Sequence, residues 1–297
     1  MQGIGKKNSF IGAGISGIIK MMGGKDMDYI VESALLTHGI KDLSEDVFRH
    51  YWGDDPSKIV WVEKGKLITG TLERFLPFRE KAVAAAREGK MIRRANHFNL
   101  DTYLEMGEDA VLTASGALSV CAREGIDAAV TAGIGGFFPE LLEDNGKHLW
   151  TKGDGPPDVA TLTSLSKILI SCGPKDMLDY PGTVRFLHEH GVRVCGVNRD
   201  IYTGYLFIGE AAVLPDPMQD ARDMKGPALI INEIEETKRM SDRSILDEAV
   251  LCGLETEKRG GYYHPAVNAY IEEKTCGYSA RLQLAALLDN ARLAAKL

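Results

Sequence analysis

Residues 127–136 read DAAVTAGIGG, and residues 167–175 read KILISCGPK. Each is a short apolar run that stops at a glycine. A run of four to six apolar residues bounded by turn formers marks a strand covered on both faces. Working outward, similar runs recur at Asp28–Ser33, Ile59–Val62, Met91–Arg94, Val192–Val197 and Ala228–Asn232. Longer patterns with helical periodicity fall between or after them, at Leu72–Glu88, Asp109–Glu124, Lys175–His190, Ser244–Thr256 and Tyr278–Leu297. Strands interleaved with helices favour a parallel or mixed sheet with helices on both faces. The expectation is an α/β protein: a single three-layer α/β/α domain with a central mixed sheet. Ligands then belong at the C-terminal ends of the strands. Two stretches rich in Gly, Pro and Asp, Glu143–Pro157 and Gly209–Lys225, read as long loops inside that domain.

Composition narrows the function. The chain has 297 residues, 44% hydrophobic and 26% charged, with a net charge of −7 spread along its length. That is ordinary for a globular protein with a sizeable core. No basic stripe suggests nucleic-acid wrapping, and no apolar run is long enough to span a membrane. The five cysteines (121, 172, 195, 252 and 276) are isolated, which argues against a disulfide framework or a zinc module. Lys6 and Lys7 precede an apolar stretch that ends at Lys20 without a plausible cleavage site, so a cytoplasmic location is expected.

Within that N-terminal stretch Gly12–Gly17 spell GAGISG, and an acid, Glu32, follows at a fitting distance. This is the pattern of a dinucleotide fingerprint and supports a rival reading, an FAD or NAD oxidoreductase. Only Asn8–Ile11 could form the preceding strand, and the helix would have to end before Gly23 and Gly24. A small-residue segment packing on the body is the other reading.

Four segments place polar residues where strands should end. Glu32-Ser33 through His38-Gly39 sets an acid and a histidine in an apolar stretch; burial would raise the acid's pKa and suit it to proton transfer. Thr131-Ala132-Gly133-Ile134-Gly135-Gly136 is a glycine-rich turn. It either lets backbone N–H groups approach an anion or serves a tight loop at positive φ. Asp154 and Asp158 stand four apart in GDGPPD, spacing that suits Mg²⁺ or Mn²⁺ or a pair of turn formers. Ser171-Cys172-Gly173-Pro174-Lys175 ends one strand and begins a helical pattern. A lysine desolvated there, at a helix N-terminus, becomes a nucleophilic amine; a solvated lysine at the start of a helix is the other reading. Cys172 reads as a small buried hydrophobe. His188 and His190 stand two apart and diverge across a helix, and His264 in YYHP reads as a structural or loop histidine.

The order of these segments resembles the pseudouridine-5′-phosphate glycosidase, or indigoidine synthase A-like, family. The likeness runs from about Tyr29 to the C-terminus, leaving residues 1–28 as an extension before a catalytic domain at 29–297. The family's ES…SHG is similar to Glu32-Ser33…Thr37-His38-Gly39, and its TGGIGG to Thr131–Gly136. Its D-x-x-x-D matches Asp154 and Asp158, and its CAGAKSILD resembles Ser171–Asp179. The C-terminal NNAILA resembles Asp289–Ala294.

What the resemblance implies is a homotrimer that uses Mn²⁺ (or Mg²⁺) and breaks, or in reverse forms, the C–C bond between a base and ribose 5-phosphate. Lys175 would form an imine with the ring-opened sugar, Glu32 would move protons, and Asp158, with Asp154, would hold the metal. Arg94 stands where the family has a phosphate-binding lysine. Thr113, Ser115, Thr131 and Gly135 become candidate phosphate or sugar contacts. Phe138 falls on a family histidine, and Gln283 lies nearest the family's C-terminal asparagine. With base and ribose contacts altered, a C-ribosyl synthase acting on another ring, or a sugar-phosphate-binding pseudoenzyme, are the further alternatives.

Overall fold

The computed structural model describes residues 27–138, 156–218, 224–260 and 263–297. The GAGISG segment and Asp154 lie outside the described residues. The elements in chain order are β1 (Tyr29–Val31), α1 (Glu45–Trp52), β2 (Ile59–Glu63), β3 (Lys66–Gly70), α2 (Leu72–Arg87), β4 (Arg93–Ala95), α3 (Leu100–Glu105), β5 (Ala110–Leu112), α4 (Ala114–Glu124) and β6 (Ala128–Val130). They continue with α5 (Pro157–Ser164), β7 (Ile168–Ser171), α6 (Tyr180–Glu189), β8 (Arg193–Gly196), β9 (Ile201–Tyr202), β10 (Ala212–Val213), β11 (Ala228–Ile231), α7 (Ser244–Lys258), α8 (Tyr263–Lys274) and α9 (Tyr278–Ala294).

A nine-stranded sheet runs in the order β4-β5-β2-β1-β6-β7-β11-β8, with β3 beside β2. The pairs from β2 through β1, β6, β7 and β11 to β8 are parallel, as is β4 with β5; β2 meets β3 and β5 antiparallel. The sheet is therefore mixed and mostly parallel. Alternation along each strand divides the core in two. Val31, Val130, Ile170 and Ile230 pack into one cluster with α1, α2, α7, α8 and α9. Ile30, Ala129, Leu169 and Leu229 pack into the other with α4, α5 and α6. Helices on both faces of a central mixed sheet give the expected three-layer α/β/α architecture.

All seven expected strands are present, with ends that differ from the expected ones by two residues at most. The helix expected from Asp109 begins at Ala114, because Ala110-Val111-Leu112 is inserted in the sheet between β4 and β2. A three-residue apolar strand running straight into an apolar helix carries no boundary in its hydrophobic pattern. The helix expected from Lys175 begins at Tyr180, where the Asp179 side chain accepts from the Gly182 N–H. The stretch ending at Pro157 gives way directly to α5.

Candidate active site

The parallel strands β1, β6 and β7 end on one edge of the sheet, and the segments that follow them meet there. Pairing continues past the strands. Ile134 N–H donates to Gly173 O at 3.0 Å, Lys175 N–H to Ile134 O at 3.2 Å, and Asp179 N–H to Phe137 O at 2.8 Å. Gly173 adopts φ 106° with the Tyr202 ring against its Cα, a conformation and a close approach that exclude a side chain. The backbone of Lys175 is thus clamped between two loops rather than wound into a helix. The helix dipole invoked for it in the sequence reading does not apply, since α6 starts five residues later.

These loops wall a cavity of about 750 Å³ that Glu32, Arg94, Thr113, Thr131, Asp158, Lys175 and Gln283 line together. Ser115, Gly135 and Phe138, also proposed as contacts, do not line it. The Ser115 side chain is buried against Thr113 Oγ1 at 3.1 Å. Asp158 accepts from the N–H groups of Ser115 (3.0 Å) and Gly135 (2.8 Å). The glycine-rich turn does offer its amide to an anion, but the anion is the chain's own carboxylate. Gly133 and Gly136 serve crowding: an added Cβ would lie 2.9 Å from the Tyr205 ring and 2.5 Å from Thr183 Oγ1.

Glu32 leaves β1 beneath a π-helical turn at Leu35–Gly39. Its Oε2 accepts from the N–H groups of Ala34 (2.7 Å) and Leu35 (3.1 Å), and Oε1 accepts from Thr131 Oγ1 at 3.1 Å. Burial raises its pKa, while the Leu35 amide and the charges of Lys175 and Arg94 pull the other way. The turn above it is fixed by Arg79. That buried guanidinium donates to the carbonyls of Leu36, Ile40, Lys41 and Leu43 and lies over the Phe48 ring at 3.9 Å.

Lys175 is the opposite case. Its pKa is lowered, first by burial and then by Arg94, with Asp158 and Glu32 opposing. Its Nζ has no hydrogen bond or ion pair among the described residues. A desolvated amine without a partner favours its neutral, nucleophilic form. The next residue, Asp176, holds the loop that carries Tyr205 by accepting from the N–H groups of Tyr205, Leu206 and Phe207.

The remaining wall was not foreseen. Along α8, Tyr263, Val267 and Ile271 are buried at four-residue spacing, and the adjacent stripe His264, Asn268 and Glu272 lines the cavity. That spacing was the available signal, hidden by the Gly-Gly-Tyr-Tyr-His-Pro start, which reads as a loop. His264 is therefore a cavity residue rather than a structural one, as is His38. Burial and the nearby cations lower their pKa values, to about 3 for His264 and about 4 for His38, so both rings are neutral at pH 7. Cys172 is buried, with its thiol pushed up to about 12. His188 pairs with Asp216, while His190 stacks on Phe186.

Five carboxylates line the cavity, Glu32, Asp42, Asp158, Glu272 and Glu273, but no cluster of three or more His, Cys, Asp or Glu among the described residues is suited to a metal, so Asp158 is the candidate for a divalent ion. Each Asp158 oxygen accepts one amide and keeps a lone pair. That donor set fits a hydrated Mg²⁺ or Mn²⁺ held through water rather than a closed protein cage.

The fold and the site together define an α/β protein with a small-molecule pocket at its strand ends, where an amine and a buried carboxyl share one cavity. The particular family follows from comparison: residues 58–297 match the family described as "Indigoidine synthase A like protein", and the chain belongs to it. It is 27% identical over 287 residues to the pseudouridine-5′-phosphate glycosidase of Thermus thermophilus, spanning 90% of this chain and 94% of that protein. It is 26% identical over 293 residues to the same enzyme of Caldanaerobacter subterraneus subsp. tengcongensis, with coverages of 90% and 89%. An indigoidine synthase A-like protein from Thermotoga maritima shares the fold with a TM-score of 0.68 at 19% identity, over 90% of this chain and 91% of that one. A prealnumycin C-glycosynthase solved with ribulose 5-phosphate aligns with a TM-score of 0.67 at 19% identity, over 91% and 90% of the two chains. Among the described residues no helix is long and apolar enough to cross a membrane.

Proposed function

We propose that the protein breaks, or in the reverse direction forms, the C–C glycosidic bond of a ribose 5-phosphate C-nucleoside such as pseudouridine 5′-phosphate. The observation that carries this reading is the partnerless Lys175 amine sharing one cavity with the amide-held carboxyl of Glu32. The names of the curated relatives support the substrate class.

The chemistry suits these two groups. A C–C glycosidic bond has no exocyclic oxygen to protonate, so the electrons need another outlet. The Lys175 Nζ lone pair bonds to the anomeric carbon as the ring oxygen departs and takes a proton from Glu32. Glu32, now a carboxylate, takes a proton from the bonded nitrogen; the lone pair so restored forms the C=N bond of a protonated imine, the electron pair of the C–C bond leaves on the base carbon, and that carbon takes the proton from Glu32. Water hydrolyses the imine and returns the free amine and ribose 5-phosphate. Arg94, at the rim of the cavity, is the bidentate phosphate donor. Thr131 holds Glu32, and Thr113 caps α4 by accepting from the Gly116 N–H at 3.4 Å. A hydrated Mn²⁺ or Mg²⁺ would be held by Asp158 and would supply positive charge beside the substrate's oxygens. A homotrimer is part of the same reading, and light scattering of the purified chain measures it.

The experiment is borohydride reduction with ribose 5-phosphate, followed by peptide mass spectrometry of wild type and Lys175→Ala. A sugar-phosphate adduct on Lys175, absent from the variant, is expected. No adduct on the folded wild type overturns the mechanism. Stabilisation by ribose 5-phosphate without an adduct would instead mark a binding protein without turnover.

A further inference from the structure

Two polar side chains of the cavity play no part in the chemistry above, the Tyr205 phenol and the Gln283 amide. Tyr205 is 2% exposed and Gln283 4%, so what either bonds to must be the other or something in the cavity. Both are fixed to the frame that carries the reacting groups. The Asp176 carboxylate, one residue past Lys175, accepts from the Tyr205 N–H at 2.7 Å, and Arg239 donates to Gly204 O at 2.9 Å. The phenol ring lies over Gly133, where a Cβ would come within 2.9 Å of it. Gln283 stands on α9 seven residues before Asn290, two turns along the same face. Asn290 ties that face to the strand ends by donating to Thr131 O at 2.8 Å.

One hydrogen bond joins the pair, from the phenol to Gln283 Oε1 at 3.4 Å. Its direction follows from what each group can do. Burial holds the phenol pKa well above its ordinary value, so the proton stays on the oxygen. That proton has no other acceptor among the described residues, and a buried O–H left unengaged is costly. With the amide turned the other way, its NH₂ would face the phenol and the phenol proton would have no acceptor. The amide oxygen is therefore held toward Tyr205. The Gln283 NH₂ has no partner among the described residues, yet its nitrogen is not sealed from solvent, so it opens on the cavity as a donor.

A hydroxyl gives or takes a hydrogen bond and is met by an amide of either polarity. A fixed donor selects for groups that accept and cannot donate. On a C-nucleoside phosphate three kinds qualify. The phosphate oxygens suit the Arg94 cation, and the sugar ring oxygen becomes a hydroxyl once the ring opens. The carbonyls of the base remain. We propose that Tyr205 is a positioning residue that fixes Gln283 as a hydrogen-bond donor to a ring carbonyl of the substrate's base, and so sets which bases the site takes. This rests on the C-nucleoside reading above but not on the imine.

The test measures affinities by calorimetry on Lys175→Met, which binds without turning over, alone and with Tyr205→Phe or Gln283→Leu added. Thermal unfolding is the folding control. The ligands are pseudouridine 5′-phosphate and its two analogues in which one ring carbonyl is replaced by an amino group. Lys175→Met should bind pseudouridine 5′-phosphate about 10-fold or more tightly than one of the analogues, the worth of one hydrogen bond. Tyr205→Phe keeps the ring against Gly133 but frees the amide to turn its oxygen to an amino group, so that preference should fall to about 2-fold or less. Gln283→Leu should abolish it and weaken pseudouridine 5′-phosphate by about 10-fold. A general loosening of the cavity would weaken all three ligands alike and leave the ratio where it was. A preference that survives Tyr205→Phe overturns the positioning role, and equal affinity of Lys175→Met for all three ligands overturns the contact. Failure of pseudouridine 5′-phosphate to bind both wild type and Lys175→Met overturns the C-nucleoside reading and the contact with it.

Discussion

The two walls of the cavity are built by different means. On the strand-end wall, carboxylates are engaged with backbone: Glu32 with two amides and a threonine, Asp158 with two amides, Asp176 with three. On the α8 wall, the side chains of His264, Asn268 and Glu272 have no hydrogen-bond partner among the described residues. Groups locked to backbone are preorganised, which is what proton transfer and nucleophilic attack require. Groups without partners await a ligand, which is what recognition requires. The exception on the first wall is Lys175, whose backbone is clamped while its amine is left free.

The largest effect expected breaks the comparison at that exception. Lys175→Met removes an amine that holds nothing in place, so turnover of pseudouridine 5′-phosphate should fall by about 10³-fold or more. Thermal stability should stay equal or rise, since a desolvated cation-forming group is gone. A variant that unfolds more readily than wild type would mean that the amine is structural after all.

Next in size is Arg79→Met, which removes the donor to four carbonyls around the turn that carries Glu32 and His38. The apolar stem is kept, so the loss belongs to the guanidinium. Destabilisation of about 3 kcal/mol in urea unfolding is expected. Asp158→Ala follows at about 2 kcal/mol, because it strips the partner from the Ser115 and Gly135 amides. That loss should appear equally with and without a chelator. If chelation alone reproduced it, the carboxylate would be serving a metal and not the loops.

How much of this was legible in the sequence follows the same division. The seven apolar runs disclosed the strands and hence the edge on which Glu32, Thr131 and Lys175 meet, because a buried parallel strand writes its own boundaries. Arg94, Asp158 and Gln283 were also placed at the cavity. What failed were assignments that depend on which group a backbone amide chooses. Gly135 and Ser115 read as ligand contacts but serve Asp158, and no periodicity encodes that. The α8 wall was lost because its first turn, Tyr263-His264-Pro265, carries loop residues, and His264 went with it. The short β5 strand was missed because Ala110–Leu112 merges with the apolar face of α4.

The smallest effect sharpens the comparison from inside the strand-end wall. Glu32 is held by three donors, yet burial still raises its pKa above the ordinary value of 4.5. A carboxyl whose folded pKa is raised binds its proton more tightly when folded. Its charged form therefore costs stability, a cost absent below pH 4.5 and complete once pH passes the folded pKa. Glu32→Gln is neutral at every pH. Its amide oxygen can accept from Ala34 and Leu35, and the Thr131 hydroxyl can turn to accept from its NH₂. The variant should be more stable than wild type at pH 7, with the gain shrinking as pH falls and gone below 4.5, while turnover is lost. Urea unfolding across that range measures it. A gain that persists at low pH would mean that the three donors do not fit the carboxyl well. A loss at pH 7 would mean that they outweigh its burial, leaving Glu32 an ordinary ionised carboxylate with no proton to give.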